Sequence, residues 1–166
     1  MEARVAEVEV EASGISIVIR PARRGDVAAL AALFAADSLG GHGDTVDPAA
    51  MPGYLAAFDT IAASANDRLW VAEIGGAVVG TFQTTLITSM SARGSSNMNV
   101  EAVQTRGDMR GRGIGEAMMR FAIERAREAG ARQVQLTSNN SRTDAHRFYE
   151  RLGFARSHAG FKLKLR

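Results

Sequence analysis

Hydrophobic and polar positions change period several times along the chain, and each change marks an element. Ile15, Ile17 and Ile19 alternate with Ser16, Val18 and Arg20, the period of a strand, and Pro21 ends it. Upstream, Glu7-Val8-Glu9-Val10-Glu11 also alternates, so residues 1–13 read as an extra edge strand or a frayed tail. Asp26 is placed to cap a helix whose Val27, Leu30, Leu33 and Phe34 share one face. Gly40, Gly41 and Gly43, with Pro48 and Pro52, make Leu39 to Met51 a loop. A short helix over about Gly53 to Ala65 turns Leu55, Phe58 and Ile61 inward.

The second half alternates the two periods. Leu69 to Ile74 and Val78 to Ile87 are strands joined at Gly75-Gly76, a hairpin signal because tight turns need positive φ. After a polar turn over Ser89 to Ser96, Asn97 to Thr105 forms the next strand. Met98, Val100 and Ala102 share one face; Asn97, Asn99, Glu101, Val103 and Thr105 share the other, which looks onto solvent or a cleft. Arg106 to Arg112 is a basic loop. A helix runs from about Gly113 to Ala129, with Ile114, Ala117, Met118, Phe121 and Ala122 as its core stripe and Gly130 as its stop. Gln133 to Thr137 is a strand. A last helix spans about Thr143 to Leu152, capped by Ser141 or Thr143 and ended by Gly153, and Phe154 to Leu165 closes the chain with one or two strands. This order predicts an α/β (α+β) fold: a mixed, largely antiparallel central sheet flanked by helices. The strand–loop–helix–strand unit from Asn97 to Thr137 makes two parallel neighbours with a right-handed crossover.

Composition narrows the functional classes. The 166 residues show no internal repeat or linker, so the chain reads as one domain over 1–166. There is no cysteine, which removes disulfides, thiolate catalysis and cysteine-ligated metal sites. The longest wholly apolar run, Val27 to Ala36, is far short of the ~20 residues that span a bilayer. The first eleven residues carry four glutamates and no apolar block, unlike a secretory signal. The expectation is a soluble, cytoplasmic protein with no membrane partner. Net charge is +2, too small to argue for nucleic acid, and one tryptophan and two tyrosines offer little stacking surface. Eighteen of the twenty bases are arginine, the better fork for phosphate and carboxylate oxygens, so their positions decide.

Arg110-Gly111-Arg112-Gly113-Ile114-Gly115 lies between a strand and an amphipathic helix. Alternating glycines leave the backbone open, so its N–H groups can converge on one point. The helix dipole adds about +0.5 of a charge there. Arg106, Arg110 and Arg112 add three cations against Asp108. This is an anion site matched to phosphate or pyrophosphate; the competing reading is a glycine-rich turn with solvated arginines. The Gly-Lys-Ser/Thr ending of the ATP-type loop is absent, and Glu116 stands where the third glycine of a dinucleotide fingerprint would fall.

The run QTRGDMRGRGIGEAMMRFAIERARE resembles the acetyl-CoA loop and following helix of the GNAT superfamily of N-acetyltransferases. Arg110, Gly113 and Gly115 meet that family's Q/R-x-x-G-x-G/A pattern. MNVEAVQT resembles the strand leading into the loop, and DAHRFYERLGF resembles the family's closing helix, where a tyrosine precedes E-x-L-G-F. The resemblance covers about Asn97 to Phe154 well and the N-terminal part by element order only. One position departs from it: many members carry asparagine seven residues before the tyrosine, where this chain has Arg142, with Asn139 and Asn140 just upstream.

The resemblance implies acetyl-CoA as co-substrate, with its pyrophosphate on the amides of Gly111, Arg112, Gly113, Ile114 and Gly115 beside Arg110. It implies that the pantetheine arm pairs with the strand near Val103, Gln104 and Thr105, and that Asn140, Arg142 and Phe148 also touch the cofactor. Which of Asn139, Asn140 and Arg142 does so stays open. Tyr149 is the candidate general acid for the departing thiolate, although Ala145, Phe148, Tyr149 and Leu152 also form a core stripe. Glu101 is the candidate base, or a carboxylate that only orients the substrate ammonium. His42, His146 and His158 are weaker candidates. Specificity is expected from Ser38 to Met51, Ser89 to Ser96 and Ala155 to Phe161, where Asp37, Asp44 and Asp47 attract a cationic amine or are ordinary solvated carboxylates. The acceptor is then a small-molecule or peptide amine, with no metal and with a homodimer as the family-based expectation. A non-catalytic acyl-CoA-binding or sensing domain is the alternative.

Overall fold

A computed structural model describes residues 7–38 and 42–165. Residues 1–6 of the expected tail, Leu39, Gly40 and Gly41 of the expected loop, and Arg166 lie outside the described residues. The chain divides into two compact units, Met1–Gln135 and Leu136–Arg166.

The first unit is built on a six-stranded sheet in the order β1-β2-β3-β4-β5-β6: Val8–Ala12, Ile15–Pro21, Asp67–Ile74, Ala77–Thr88, Ser96–Thr105 and Gln133–Gln135. All neighbours are antiparallel except β5 and β6. The N-terminal alternation is thus an edge strand paired to β2 over Val8 to Ala12. Gly75 and Gly76 take φ of 58° and 83° in the β3–β4 hairpin, as a tight turn requires.

Helix α1 (Val27–Ala35) and helix α2 (Met51–Ala63) cover one face, and α4 (Ile114–Glu128) covers the other; α3 (Ser91–Gly94) is a single turn between β4 and β5. On the α4 side, Trp70, Phe82 and Phe121 pack at centroid distances of 4.8 to 6.2 Å. The buried indole N–H donates to Thr84 Oγ1 at 2.9 Å, so this polar tip carries no desolvation debt. On the other side, Leu30, Leu33 and Val71 form a cluster flanked by Phe34, Leu69 and Val78.

Three expectations need correction. Asp26 stands at the N-cap of α1, but its side chain does not bond the helix amides: its carboxylate accepts from the Arg23 N–H at 2.7 Å and from the Arg20 guanidinium at 2.7 and 3.0 Å. A buried guanidinium outcompetes orphan helix amides for the carboxylate. Arg20 also binds Glu73 at 2.8 Å, which raises it further above its usual range. Second, the alternation of β5 breaks at Ala102, which has φ +53°. Gln83 pairs with Glu101 and Thr81 with Gln104, so Ala102 and Val103 together oppose Phe82. The extra residue is a β-bulge and inverts the faces beyond it. Gln104 joins the face of Glu101, while Val103 and Thr105 leave it.

The third correction concerns the second unit. It contains α5 (Thr143–Arg151), ended by Gly153 at φ +95°, but residues 154–165 form no strand. Phe161, Leu163 and Leu165 alternate as a strand would, yet are 95%, 86% and 89% exposed: no ladder takes up their backbone groups. The start of α5 differs as well. Arg142 is its N-cap, and Ser141 instead bonds Asn139 Oδ1 through both N–H (3.0 Å) and hydroxyl (2.9 Å).

Candidate active site

The turn between β5 and α4 is anchored before it opens. Arg106 N–H donates to Val79 O at 2.8 Å, and Met109 is buried in the 3-10 turn Gly107–Met109. The chain then passes through Gly111 (φ +76°) and Gly113 (φ +80°) into α4. Both lie in the left-handed region that glycine enters without penalty. Ala117 N–H is the first to bond back into the helix, to Gly113 O at 2.9 Å. The N–H groups from Gly111 to Glu116 have no backbone acceptor among the described residues. Six consecutive amides at the positive end of a fifteen-residue helix fit a diphosphate.

The charges around this turn differ from the sequence expectation. Arg106 forms a two-point pair with Asp108 at 2.7 and 3.0 Å, so it adds no net charge to the turn. That hydrogen bond raises the Arg106 guanidinium and lowers the Asp108 carboxyl. Arg110 donates from Nε to Thr105 O at 3.3 Å, and its side chain, like that of Arg112, is exposed.

The strand feeding the turn is open on one side. The β5–β6 ladder runs only over Asn97–Gln133, Met98–Val134 and Asn99–Gln135. On that side, residues 100–105 of β5 pair with no strand among the described residues. Val103 and Thr105 lie on this free stretch, continuous with Arg110 to Gly115. Gln104 does too, but its side chain donates to Asp37 Oδ2 at 2.7 Å. Glu101 is exposed and accepts from Asn99 Nδ2 at 3.2 Å.

Asn140, Arg142, Phe148 and Tyr149 belong to the second unit. Tyr149 packs edge-on against Phe148 (5.1 Å) and Phe154 (5.9 Å), which makes it part of that unit's aromatic cluster. Burial pushes its phenol above the usual value, against the opposing charge of Arg142. The Asn139 side chain is spent on Ser141, and its carbonyl meets His146 Nε2 at 2.9 Å. Asn140 Oδ1 has Arg156 at 3.5 Å. His158 is exposed beside the Ser157 hydroxyl.

The loop carboxylates are engaged in the fold. Asp37 accepts from Gln104, Asp44 from the Tyr54 hydroxyl at 2.9 Å, and Asp47 from Ala49 N–H at 2.9 Å. Tyr54 and the Ala102 bulge escaped the sequence reading. The Tyr54 hydroxyl also accepts from Thr45 N–H at 3.0 Å; that bond lowers its pKa, but burial and Asp44 together raise it above the ordinary value. Only the spacing of Tyr54 with Phe58 and Ile61 on α2 hinted at its inward position.

A family model for the Acetyltransferase (GNAT) family matches residues 31–154. The chain belongs to that family. Its fold is that of GNAT structures, a six-stranded mixed sheet with flanking helices. The chain resembles a transcriptional regulator from Bacillus halodurans C-125 at TM-score 0.86 and 38% identity, over 90% of this chain and 99% of that one. At 18% identity and TM-score 0.69, the fold also matches a predicted acetyltransferase from Clostridium acetobutylicum solved with acetyl-CoA, over 90% of this chain and 96% of that one. Among curated proteins, it is 49% identical over 53 residues to the aminoalkylphosphonate N-acetyltransferase of Salmonella typhimurium. That match covers 32% of this GNAT chain and 34% of the relative's length. No described helix is long and apolar enough to cross a membrane.

Proposed function

We propose that this GNAT chain transfers acetyl from acetyl-CoA to a primary amine by direct attack. The observation that carries the reading is the run of unpaired amides from Gly111 to Glu116, set next to the open side of β5. The amides bind the diphosphate, with Arg110 and Arg112 beside them. The free backbone groups near Val103 and Thr105 bind the amide-bearing pantetheine arm as an added strand would. This holds the thioester, whose activated acetyl is the donor chemistry, close to Glu101.

An amine with a pKa near 10.4 is neutral in only about one molecule in 2,500 at pH 7. Glu101 orients the ammonium and accepts its proton directly or through water. The amine nitrogen then bonds to the carbonyl carbon, the carbon–sulfur bond breaks, and the electron pair leaves on sulfur. Tyr149 supplies a proton to that thiolate, and the second proton that the nitrogen sheds as the neutral amide forms passes through solvent to restore the Tyr149 phenol. Its raised pKa keeps the phenol protonated throughout the neutral range, as a donor must be. A cysteine-linked acyl-enzyme has no residue to form on.

A second reading, a non-catalytic acyl-CoA sensor, draws support from the description of the Bacillus halodurans relative as a transcriptional regulator. One experiment separates the two. Acetyl-CoA binding is measured by calorimetry and its consumption is followed against a panel of primary amines. We expect uptake and turnover, with Tyr149→Phe and Glu101→Gln each lowering kcat at least tenfold. Uptake without turnover on any amine favours the sensor; absence of uptake refutes both.

A further inference from the structure

A cavity of about 170 Å³ lies in the first unit, between α1, α2 and the sheet. Leu30, Phe34, Phe58, Ile61 and Leu69 line it, and the bulged Ala102 forms part of its wall. Nothing in its lining demands water. The Gln83 side chain there hydrogen-bonds Asp67, and the Tyr54 hydroxyl is taken by Asp44 and Thr45. An engineered cavity of about 150 Å³ with the same kind of lining stays dry and takes benzene.

The position of this cavity gives its volume a role. Ala102 is exposed, so the cavity opens where the bulge stands, between Glu101 and Val103 in sequence. Gln83 is the ladder partner of Glu101 and lines the cavity, so cavity and carboxylate share one face of the sheet on neighbouring strands. Asp44 meets the cavity through Tyr54. Residues 42–47 contain Asp44 and Asp47 and no arginine or lysine. The rim therefore suits a cation, and the interior suits an uncharged group of about six carbons.

We infer that the acceptor is a small primary amine bearing one compact apolar group, isobutyl to phenyl in size, which fills this cavity while its ammonium meets Glu101 at the rim. This rests on the acetyltransfer reading for its chemistry, but the cavity can be tested apart from it. Each methylene moved into the cavity tightens binding roughly fourfold. Strongly hydrophilic amines forgo that gain.

The test titrates the full chain, with and without saturating CoA, with methylamine, ethanolamine, 3-methylbutylamine and 2-phenylethylamine. We expect the two apolar amines to bind at least tenfold more tightly than the other two. Ala57 lines the cavity but is itself exposed on α2, so the indole of Ala57→Trp can take up cavity volume without overpacking the core. That variant should erase the preference while leaving thermal unfolding and CoA affinity unchanged. Equal affinities across the series, failure of all four to bind, or an unchanged preference in Ala57→Trp overturns the inference. Acetylation of methylamine and ethanolamine as efficiently as of the apolar pair also overturns it, but leaves the acetyltransfer reading standing. Selective apolar binding without CoA uptake does the reverse.

Discussion

Gly111 and Gly113 have nearly the same backbone conformation but different surroundings, and the difference separates folding from ligand binding. An alanine at either φ pays for the left-handed region, about 1–2 kcal/mol. For a domain of this size that is a fall in Tm of roughly 2–8 °C. At Gly113 the new Cβ would also stand 3.2 Å from Ala12 Cβ and 3.5 Å from Ser13 Oγ, so the β1–β2 turn must yield. At Gly111 it meets nothing within 4 Å. Gly113→Ala should therefore be the less stable of the two. In Gly111→Ala the loss of stability should be strain alone, and any further effect must come from a ligand that occupies the open space. If the diphosphate sits on these amides, Gly111→Ala weakens acetyl-CoA binding at least tenfold, equivalent to about 1.4 kcal/mol. Thermal melts in the absence of ligand give the first quantity, and calorimetric titration of the folded variant at 20 °C below its Tm (a roughly chosen margin) gives the second. Unchanged affinity in Gly111→Ala would refute the assignment of the turn. Equal melting of the two variants would refute the packing argument.

Gly80→Ala should destabilise by about 1–3 kcal/mol in urea unfolding, because its Cβ would lie 2.9 Å from Met118 Sδ and 3.2 Å from Gln104 O; shortening Met118 in the same background should recover part of the loss. Burial alone would raise Asp26, but the hydrogen bonds from Arg20 and the Arg23 N–H outweigh it and hold the carboxyl below its usual value. A depressed carboxylate stabilises the fold above its unfolded pKa and loses that contribution as pH falls through the folded value, so stability should decline below about pH 4. Asp26→Asn should flatten that decline and cost about 1.5–3 kcal/mol at pH 7, since Arg20 loses its charged hydrogen bonds to Asp26 but keeps its pair with Glu73. The Tyr149 phenol is raised from 10.0, so the kcat profile should show no fall from its deprotonation below pH 10; such a fall, surviving in Tyr149→Phe, would exclude Tyr149 as its source.

The legible features were those fixed by local chemistry. Alternating isoleucines specified β2, Gly75-Gly76 the hairpin, and the Ile114–Met118–Phe121–Ala122 stripe the buried face of α4. The glycine turn was legible because only glycine enters it at no cost. What escaped depended on partners distant in sequence. Arg106 looked like a free cation until the fold let it close on Asp108, and Asp26 looked like a cap until Arg20 reached it across the end of β2. Phe161, Leu163 and Leu165 carry the alternation of a strand, but a strand also needs a neighbour with a free edge, and no pattern in one segment announces that. The pocket between α1 and α2 was hidden for the same reason: its walls come from five separate stretches of sequence.

The bulge at Ala102 shows why that dependence falls on the candidate site. A non-glycine residue at φ +53° costs on the order of 1–3 kcal/mol and persists only where its surroundings over-determine it. Here they do. Upstream, Met98 and Val100 are buried on the α4 side; downstream, Gln104 is tied to Asp37 and Arg106 to Val79. These anchors require opposite phases of the strand, and only an extra residue between them satisfies both. The same residue sharpens the local twist just past Asn99, where the parallel ladder with β6 stops. It also brings Ala102 to the wall of the apolar cavity beside Glu101. A single displaced residue thus couples the open backbone edge, the carboxylate and the cavity. The strain is the cost of setting an open edge, a carboxylate and an apolar cavity side by side on one strand.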